Sequence, residues 1–255
     1  MRKFTHIKSF GQHFLKSHET AKRIVDALPV EEAEDILEIG PGLGILSKHL
    51  LQLNKNIYFS EIDKRIIEFL KNDLKVDDKK IIEGDFLRID LKRYFQNKFL
   101  VIGNFPYNIS SQILFKVLEY KEQIPALVGM FQKEMAQRVA AKHGNKDYGV
   151  ITVLIQVHYD VEYLFELSPE EFDLPPKVYS AVIRLKRKSR NLNFDEALFK
   201  QIVKTGFNQR RKKLSNALAS IHNTKEILIH LNFADKRAEQ LSIEDFILLT
   251  QKLQN

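Results

Sequence analysis

D-I-L-E-I-G-P-G-L-G, residues 35–44, begins as an apolar strand-like run and ends on three glycines at alternate positions. A glycine turn between a strand and a helix lets a ligand approach the backbone and the free N–H groups of the helix start. Ile45 follows Gly44, so the spacing is not G-x-G-x-x-G, and a dinucleotide held by its pyrophosphate is not the best fit. Downstream the chain keeps alternating. A helix pattern over Leu46–Leu53 precedes I-Y-F-S-E-I at 57–62, and a helix holding Ile66, Ile67, Leu70 and Leu74 precedes I-I-E-G-D-F at 81–86. F-L-V-I at 99–102 then leads to a helix with Ile109, Ile113 and Val117 on one face, and A-L-V-G-M-F follows at 126–131. Two further apolar runs, V-I-T-V-L-I-Q-V-H-Y at 150–159 and V-Y-S-A-V-I-R-L at 178–185, extend the strand series to seven. The alternation predicts βαβ units in one mostly parallel seven-stranded sheet, with right-handed crossovers and helices on both faces.

The flanks differ in character. Residues 1–17 are basic and aromatic (Arg2, Lys3, Phe4, Lys8, Phe10, Phe14) around Gly11 and read as an arm. Ala21, Ile24, Val25 and Leu28 have helical spacing, and Pro29 ends that pattern. After Lys188 the β pattern stops, and amphipathic helices follow, the last opening on S-I-E-D at 242–245 as a capping box. The expected division is a sheet domain over 1–188 and a small all-helical domain over 189–255.

The chain has 255 residues, 44% of them hydrophobic, enough for an α/β core and a small appended domain. The absence of cysteine excludes disulfides and thiolate metal sites, and no metal is expected. M-R-K-F-T-H-I-K lacks the apolar core of a signal peptide, and no stretch is long enough to span a membrane, so a cytoplasmic, soluble protein is expected, monomeric by default. The net charge of +7 is segregated: residues 1–185 carry 26 basic and 26 acidic side chains, residues 186–255 carry 14 and 7. An excess confined to one segment suits a polyanion such as nucleic acid, although a solvated basic face has the same composition.

Four successive strands deliver polar groups to their carboxyl ends, the edge where open α/β sheets bind ligands. The Gly40–Gly44 turn, including Gly42, ends the first, Glu61 the second, Asp85 the third and Asn104 the fourth. Singly, each acid reads equally well as a helix cap. Together the set suits a nucleoside with an amino-acid tail, S-adenosylmethionine, with Glu61 on the ribose, Asp85 on the adenine amine and the glycine turn on the methionine part. The fold expected is therefore Rossmann-like, of the class I S-adenosylmethionine-dependent methyltransferase kind.

At this point the chain closely resembles the KsgA/RsmA-type ribosomal RNA adenine dimethyltransferases. The resemblance runs nearly end to end, through F-G-Q-H-F-L at 10–15, E-I-G-P-G-L-G at 38–44, S-E-I-D at 60–63, G-D-F at 84–86, G-N-F-P-Y-N-I-S at 103–110, Q-K-E at 132–134, F-D-L-P-P-K-V-Y-S-A-V at 172–182 and F-N-Q-R-R-K-K-L at 207–214. It implies two methylations at the N6 amine of each of two adjacent adenines, in the hairpin loop near the 3′ end of small-subunit (16S) rRNA. It also implies that His13, Leu15, Gly40, Glu61, Asp85 and Asn104 contact the cofactor. His13 departs from the family's usual asparagine; an imidazole makes hydrogen bonds with a different reach.

Adenine N6 has its lone pair delocalised into the ring, so methylation needs that nitrogen to become more tetrahedral. The Asn104 side-chain oxygen and the Phe105 carbonyl, in a turn stiffened by Pro106, are suited to accept its hydrogens and favour the change. Tyr107 is the first candidate to stack on the flipped base and Phe172 the second, although Phe172 reads equally well as a core residue beneath its loop. Arg210, Arg211, Lys212 and Lys213 follow Asn208, a candidate N-cap, and are candidate phosphate contacts at a helix start. Three rivals remain: a large-subunit rRNA dimethylase of the macrolide-resistance type, a noncatalytic RNA-binding assembly factor, and, remotely, a nicotinamide oxidoreductase. F-N-Q-R-R-K-K-L and the full-length match favour the small-subunit enzyme.

Overall fold

A computed structural model describes residues 13–189 and 193–254. The candidate arm residues Arg2, Lys3, Phe4, Lys8, Phe10 and Gly11 lie outside the described residues. The chain divides into two compact units. One contains the residues up to Ala136 together with Asp160–Arg187, and the other contains Gln137–Tyr159 and the chain from Lys188 onward.

The first unit is built on seven strands: β1 (Asp35–Ile39), β2 (Asn56–Glu61), β3 (Ile81–Glu83), β4 (Phe99–Asn104), β5 (Ala126–Gln132), β6 (Tyr159–Leu167) and β7 (Ser180–Arg187). Their order across the sheet is β3-β2-β1-β4-β5-β7-β6. The first five pair in parallel and β7 runs antiparallel to β5. Chain order reverses between β1 and β4, the switch point beside which such sheets bind ligands. Neighbouring residues on a strand point to opposite faces, and Ile36 with Leu37, Leu100 with Val101, and Leu127 with Val128 are all fully buried, so both faces are covered.

Ten helices accompany the described strands: α1 (His18–Asp26), α2 (Ser47–Leu50), α3 (Lys64–Asn72), α4 (Ser110–Glu119), α5 (Lys133–Val139), α6 (Val150–Gln156), α7 (Glu196–Asn208), α8 (Leu214–Ala217), α9 (Thr224–His230) and α10 (Ile243–Leu253). One core cluster joins Ala21 and Ile24 of α1, Leu50 of α2 and Ile66 and Leu70 of α3 to Ile36, Leu100, Val128 and Val182 on the sheet. Ser17 caps α1 and Asp63 caps α3, each accepting an otherwise orphaned amide.

Three sequence expectations are corrected. Residues 150–156 form helix α6, not a strand: five of the seven are apolar, which reads equally well as buried strand, and only Thr152 and Gln156, four residues apart on one helix face, carry the helical period. The strand at that point is the next stretch, Y-D-V-E-Y-L-F-E-L, whose acidic residues are suited to the sheet margin where β6 lies. The expected cut at 188 leaves out Gln137–Tyr159, an excursion that joins the helical unit, where α6 packs on α7 and α7 on α10. Asn208 is the last residue of α7 and not an N-cap; Arg210–Lys213 form the turn to α8. The four cations thus lie just past one helix C-terminus, which the macrodipole favours, and directly before the four-residue α8, whose N-cap is Lys213. The capping box of α10 is present: Ser242 Oγ accepts from Asp245 N at 3.1 Å and Asp245 Oδ2 accepts from Ser242 N at 2.9 Å.

Candidate active site

At the carboxyl edge of the sheet the β1 turn, the ends of β2, β3 and β4, and residues 13–15 enclose a cavity of about 250 Å3. Gly40, Gly42, Glu61, Asp85 and Asn104 line it, as do His13 and Leu15. Gly40 has φ +66° with nothing within 4 Å of an added Cβ, so left-handed backbone, not crowding, selects glycine there. At Gly42, φ +53°, a Cβ would also stand 3.0 Å from the Phe14 ring.

The acids are held by backbone amides. Glu61 Oε1 accepts from Ile62 N at 2.7 Å and Asp63 N at 2.9 Å, and burial raises its pKa against these bonds. Asp85 Oδ1 accepts from Leu87 N at 3.0 Å, so the helix-cap reading and the cavity reading are both realised in one side chain. Glu38 and Ser60 are buried polar lining residues that sequence reasoning did not single out. Glu38 is buried in β1 with Ser47 Oγ donating to it at 2.7 Å, and desolvation pushes its carboxyl up to about 8. Its signal was present as the single charge inside the apolar run I-L-E-I. Ser60 Oγ is buried without a hydrogen-bond partner among the described residues.

β4 ends where the chemistry would be done. Asn104 Nδ2 donates to the His13 carbonyl at 2.7 Å; a carbonyl can only accept, so Oδ1 is left as the amide's acceptor. The Phe105 ring is buried against Gly103 and Gly129, where a Cβ at Gly103 would stand 2.7 Å from it, which leaves only the Phe105 backbone for a substrate. Pro106 turns the chain, and its carbonyl accepts from Ser110 Oγ at 3.1 Å. The Tyr107 hydroxyl lies 2.6 Å from Ser180 Oγ, and burial raises its pKa.

Phe172 is not brought to the cavity. Residues 14–16 pair with 171–173 through a Leu15–Phe172 bridge, Lys16 N to Glu171 O at 2.8 Å and Asp173 N to Phe14 O at 2.9 Å. This pairing buries the Phe172 ring completely, the core reading of that residue. The ring stacked on Tyr107 is His13, with centroids 5.3 Å apart at 24°, and His13 meets Phe172 edge-on at 6.5 Å. Nδ1 of His13 lies 2.9 Å from the Leu174 carbonyl, which fixes the proton on Nδ1.

The basic residues lie in the helical unit, which by composition carries 15 basic and 8 acidic side chains and so the whole net charge of +7. Arg210 pairs with Glu239, and Lys213 with Asp235 at 2.7 Å, whereas Arg211 and Lys212 are exposed.

The residues fit S-adenosylmethionine: an acid follows the second strand, a strand-end glycine has open space beside it, and a buried Ser60 hydroxyl lacks a partner at the cavity wall. Fold and site define a Rossmann-like S-adenosylmethionine-dependent methyltransferase. Residues 3–255 match the model of the ribosomal RNA adenine dimethylase family, and the chain belongs to that family. It is 51% identical to ribosomal RNA small subunit methyltransferase A of Cytophaga hutchinsonii, over 99% of both chains, and 48% identical to the protein of that name in Flavobacterium johnsoniae, over 100% of this chain and 98% of the other. A dimethyladenosine transferase from Plasmodium falciparum superposes with a TM-score of 0.83 at 25% identity, over 95% of this chain and 98% of the other. The 23S rRNA methyltransferase ErmE shares the fold, with a TM-score of 0.72 at 24% identity over 95% of this chain and 100% of the other. These similarities support the small-subunit enzyme over the large-subunit one.

Glu38 generates a pH prediction. Between its ordinary 4.5 and about 8 the folded protein holds a proton that the unfolded chain has released, so stability falls as pH rises through that window. Glu38→Gln cannot ionise and is expected to flatten the fall in urea unfolding measured across the window; an unchanged slope would show that Glu38 is already ionised in the folded protein.

Proposed function

We propose that this enzyme converts two adjacent adenines in the 3′-terminal hairpin loop of 16S rRNA to N6,N6-dimethyladenines, acting in the cytoplasm as a monomer on a small-subunit particle. The observation that carries the reading is the Asn104 amide, turned by the His13 carbonyl so that its oxygen remains as acceptor beside the cavity. When bound, S-adenosylmethionine supplies an electrophilic methyl on a sulfonium. Glu61 is assigned to the ribose hydroxyls, Asp85 to the adenine amine, and Gly40 and Gly42 to the methionine end, with Leu15 and His13 closing the cavity.

In the first transfer Asn104 Oδ1 and the Phe105 carbonyl accept the two N6 hydrogens of the target base, and in the second one of them accepts the single hydrogen that is left, drawing that nitrogen toward tetrahedral geometry and aiming its lone pair. This is electrostatic and positional catalysis, and no side chain has to act as a strong base, because the methylated amine is acidic enough to lose its proton to water. Tyr107 offers its ring to the flipped base. Unstacking costs about a few kcal/mol, least in a loop, and ring stacking offsets it by roughly 1–3 kcal/mol. With Phe172 buried and His13 stacked on one side of Tyr107, the Tyr107 ring is the one that remains for the flipped base.

RNA affinity is assigned to the basic helical unit, with unequal shares. Arg211 and Lys212 have no ion pair among the described residues to give up before meeting phosphates, whereas Arg210 and Lys213 exchange one anion for another.

Two measurements test this reading. Asn104→Ala is expected to abolish methyl transfer to unmethylated small subunits while RNA affinity stays near wild type, and near-normal turnover would remove the mechanism. Substituting Arg211 and Lys212 with Ala is expected to lower the slope of log K against log salt by roughly 0.7–0.9 per lost contact. The Arg210 and Lys213 pair should lower it less, and S-adenosylmethionine affinity should not move. Equal slopes in all proteins would reduce these charges to a solvated face.

A further inference from the structure

Leu174 to Tyr179, L-P-P-K-V-Y, lies between two anchors in the site. At one end the Leu174 carbonyl takes the His13 Nδ1 hydrogen bond at 2.9 Å, and at the other the next residue, Ser180, meets the Tyr107 hydroxyl at 2.6 Å. Since His13 and Tyr107 are stacked on each other, the loop closes a ring around the aromatic pair. Pro175 and Pro176 restrict the backbone in between.

The stretch is held firmly, yet it leaves its apolar side chains in water. Leu174 is 44% exposed, Val178 40% and Tyr179 52%; they are three of the eight large hydrophobics exposed among the described residues, within six positions of sequence. Clustered exposure of this kind marks a binding surface, whereas scattered single residues do not. Lys177, between them, is exposed as well. The Lys133 ammonium stands 5.7 Å over the Tyr179 ring while paired with Glu166 at 2.6 Å, and the Tyr179 carbonyl accepts from Lys133 N at 2.9 Å. An exposed aromatic ring among lysines is the pattern used to hold single-stranded nucleic acid.

The sheet register gives the direction. Asn104 pairs with Met130 and Gln132 with Ser180, so Lys133, one strand across from Asn104, and Tyr179, two strands or about 10 Å across, continue the same edge three register positions further on. RNA whose adenine sits at Asn104 has a neighbouring nucleotide to place, and this edge offers it the Tyr179 ring and the exposed Lys177 ammonium, Lys133 being paired with Glu166. We propose that Leu174–Tyr179 is a landing platform for the unpaired nucleotide that flanks the target adenine. Its base stacks on Tyr179, its sugar packs on Val178 and Leu174, and its phosphate meets Lys177. The proposal rests on the adenine-methylation reading and adds a second base site to it.

The test uses full-length enzyme, unmethylated small subunits, and a synthetic hairpin with 2-aminopurine or an abasic position next to the target adenine. Tyr179→Ala is expected to raise KM for the subunits by roughly 5- to 150-fold with kcat and S-adenosylmethionine affinity little changed, and Tyr179→Phe to restore it. In hairpin binding, wild type is expected to quench the 2-aminopurine and to lose affinity at the abasic position, whereas Tyr179→Ala does neither. If wild type methylates subunits and Tyr179→Ala has the same KM and the same abasic penalty, the platform is overturned alone. If wild type transfers no methyl to the subunits, the methylation reading falls and takes the platform with it.

Discussion

A backbone carbonyl cannot donate a hydrogen bond, and the His13 carbonyl, 2.7 Å from the Asn104 amide, therefore dictates which end of that amide faces the cavity. Asparagine on its own presents donor and acceptor with little preference, and a donor aimed at N6 would oppose its attack. The contact joins residues 91 positions apart, and what keeps it in place is the pairing of 14–16 with 171–173. That pairing in turn needs Phe172 in the core. One residue thought suited to stacking thus serves by holding the strap that orients another.

The cavity wall has a cost in stability. Two carboxyl side chains, Glu38 and Glu61, are buried on adjacent strands, each destabilised as an anion by desolvation, and the Ser60 hydroxyl beside them has no partner among the described residues. Such features are tolerated where a ligand rewards them. A cofactor with an ammonium, a sulfonium and ribose hydroxyls brings charges and donors of the kind these groups lack.

Where periodicity was strong the sequence was legible. The alternation from Asp35 to Gln132 gave five strands in order, because buried parallel strands read as short apolar runs stopped by glycine or proline. The run at 150–159 misled for the same reason: only Thr152 and Gln156 interrupt its apolar residues, too few to set a period, and the true strand, with Asp160, Glu162 and Glu166, has no such apolar run. Domain limits failed at Gln137–Tyr159, since an excursion that leaves one unit and returns has no compositional border. At the site, residues selected by type and strand end (Gly40, Glu61, Asp85, Asn104) line the cavity together. Those whose roles depend on tertiary partners did not reveal them. Glu239 and Asp235 neutralise half of a basic run that looked uniform, and His13, a departure in its motif, supplies its carbonyl to Asn104 and its ring to Tyr107.

The orientation of the Asn104 amide is the claim from which the chemistry follows. A crystal structure of the enzyme with S-adenosylhomocysteine and an adenine-containing RNA loop tests it directly. The account predicts the adenine N6 within hydrogen-bond distance of Asn104 Oδ1 and the Phe105 carbonyl, with Nδ2 still on the His13 carbonyl. An N6 amine held away from Asn104, or an amide turned so that Nδ2 faces the base, would contradict it.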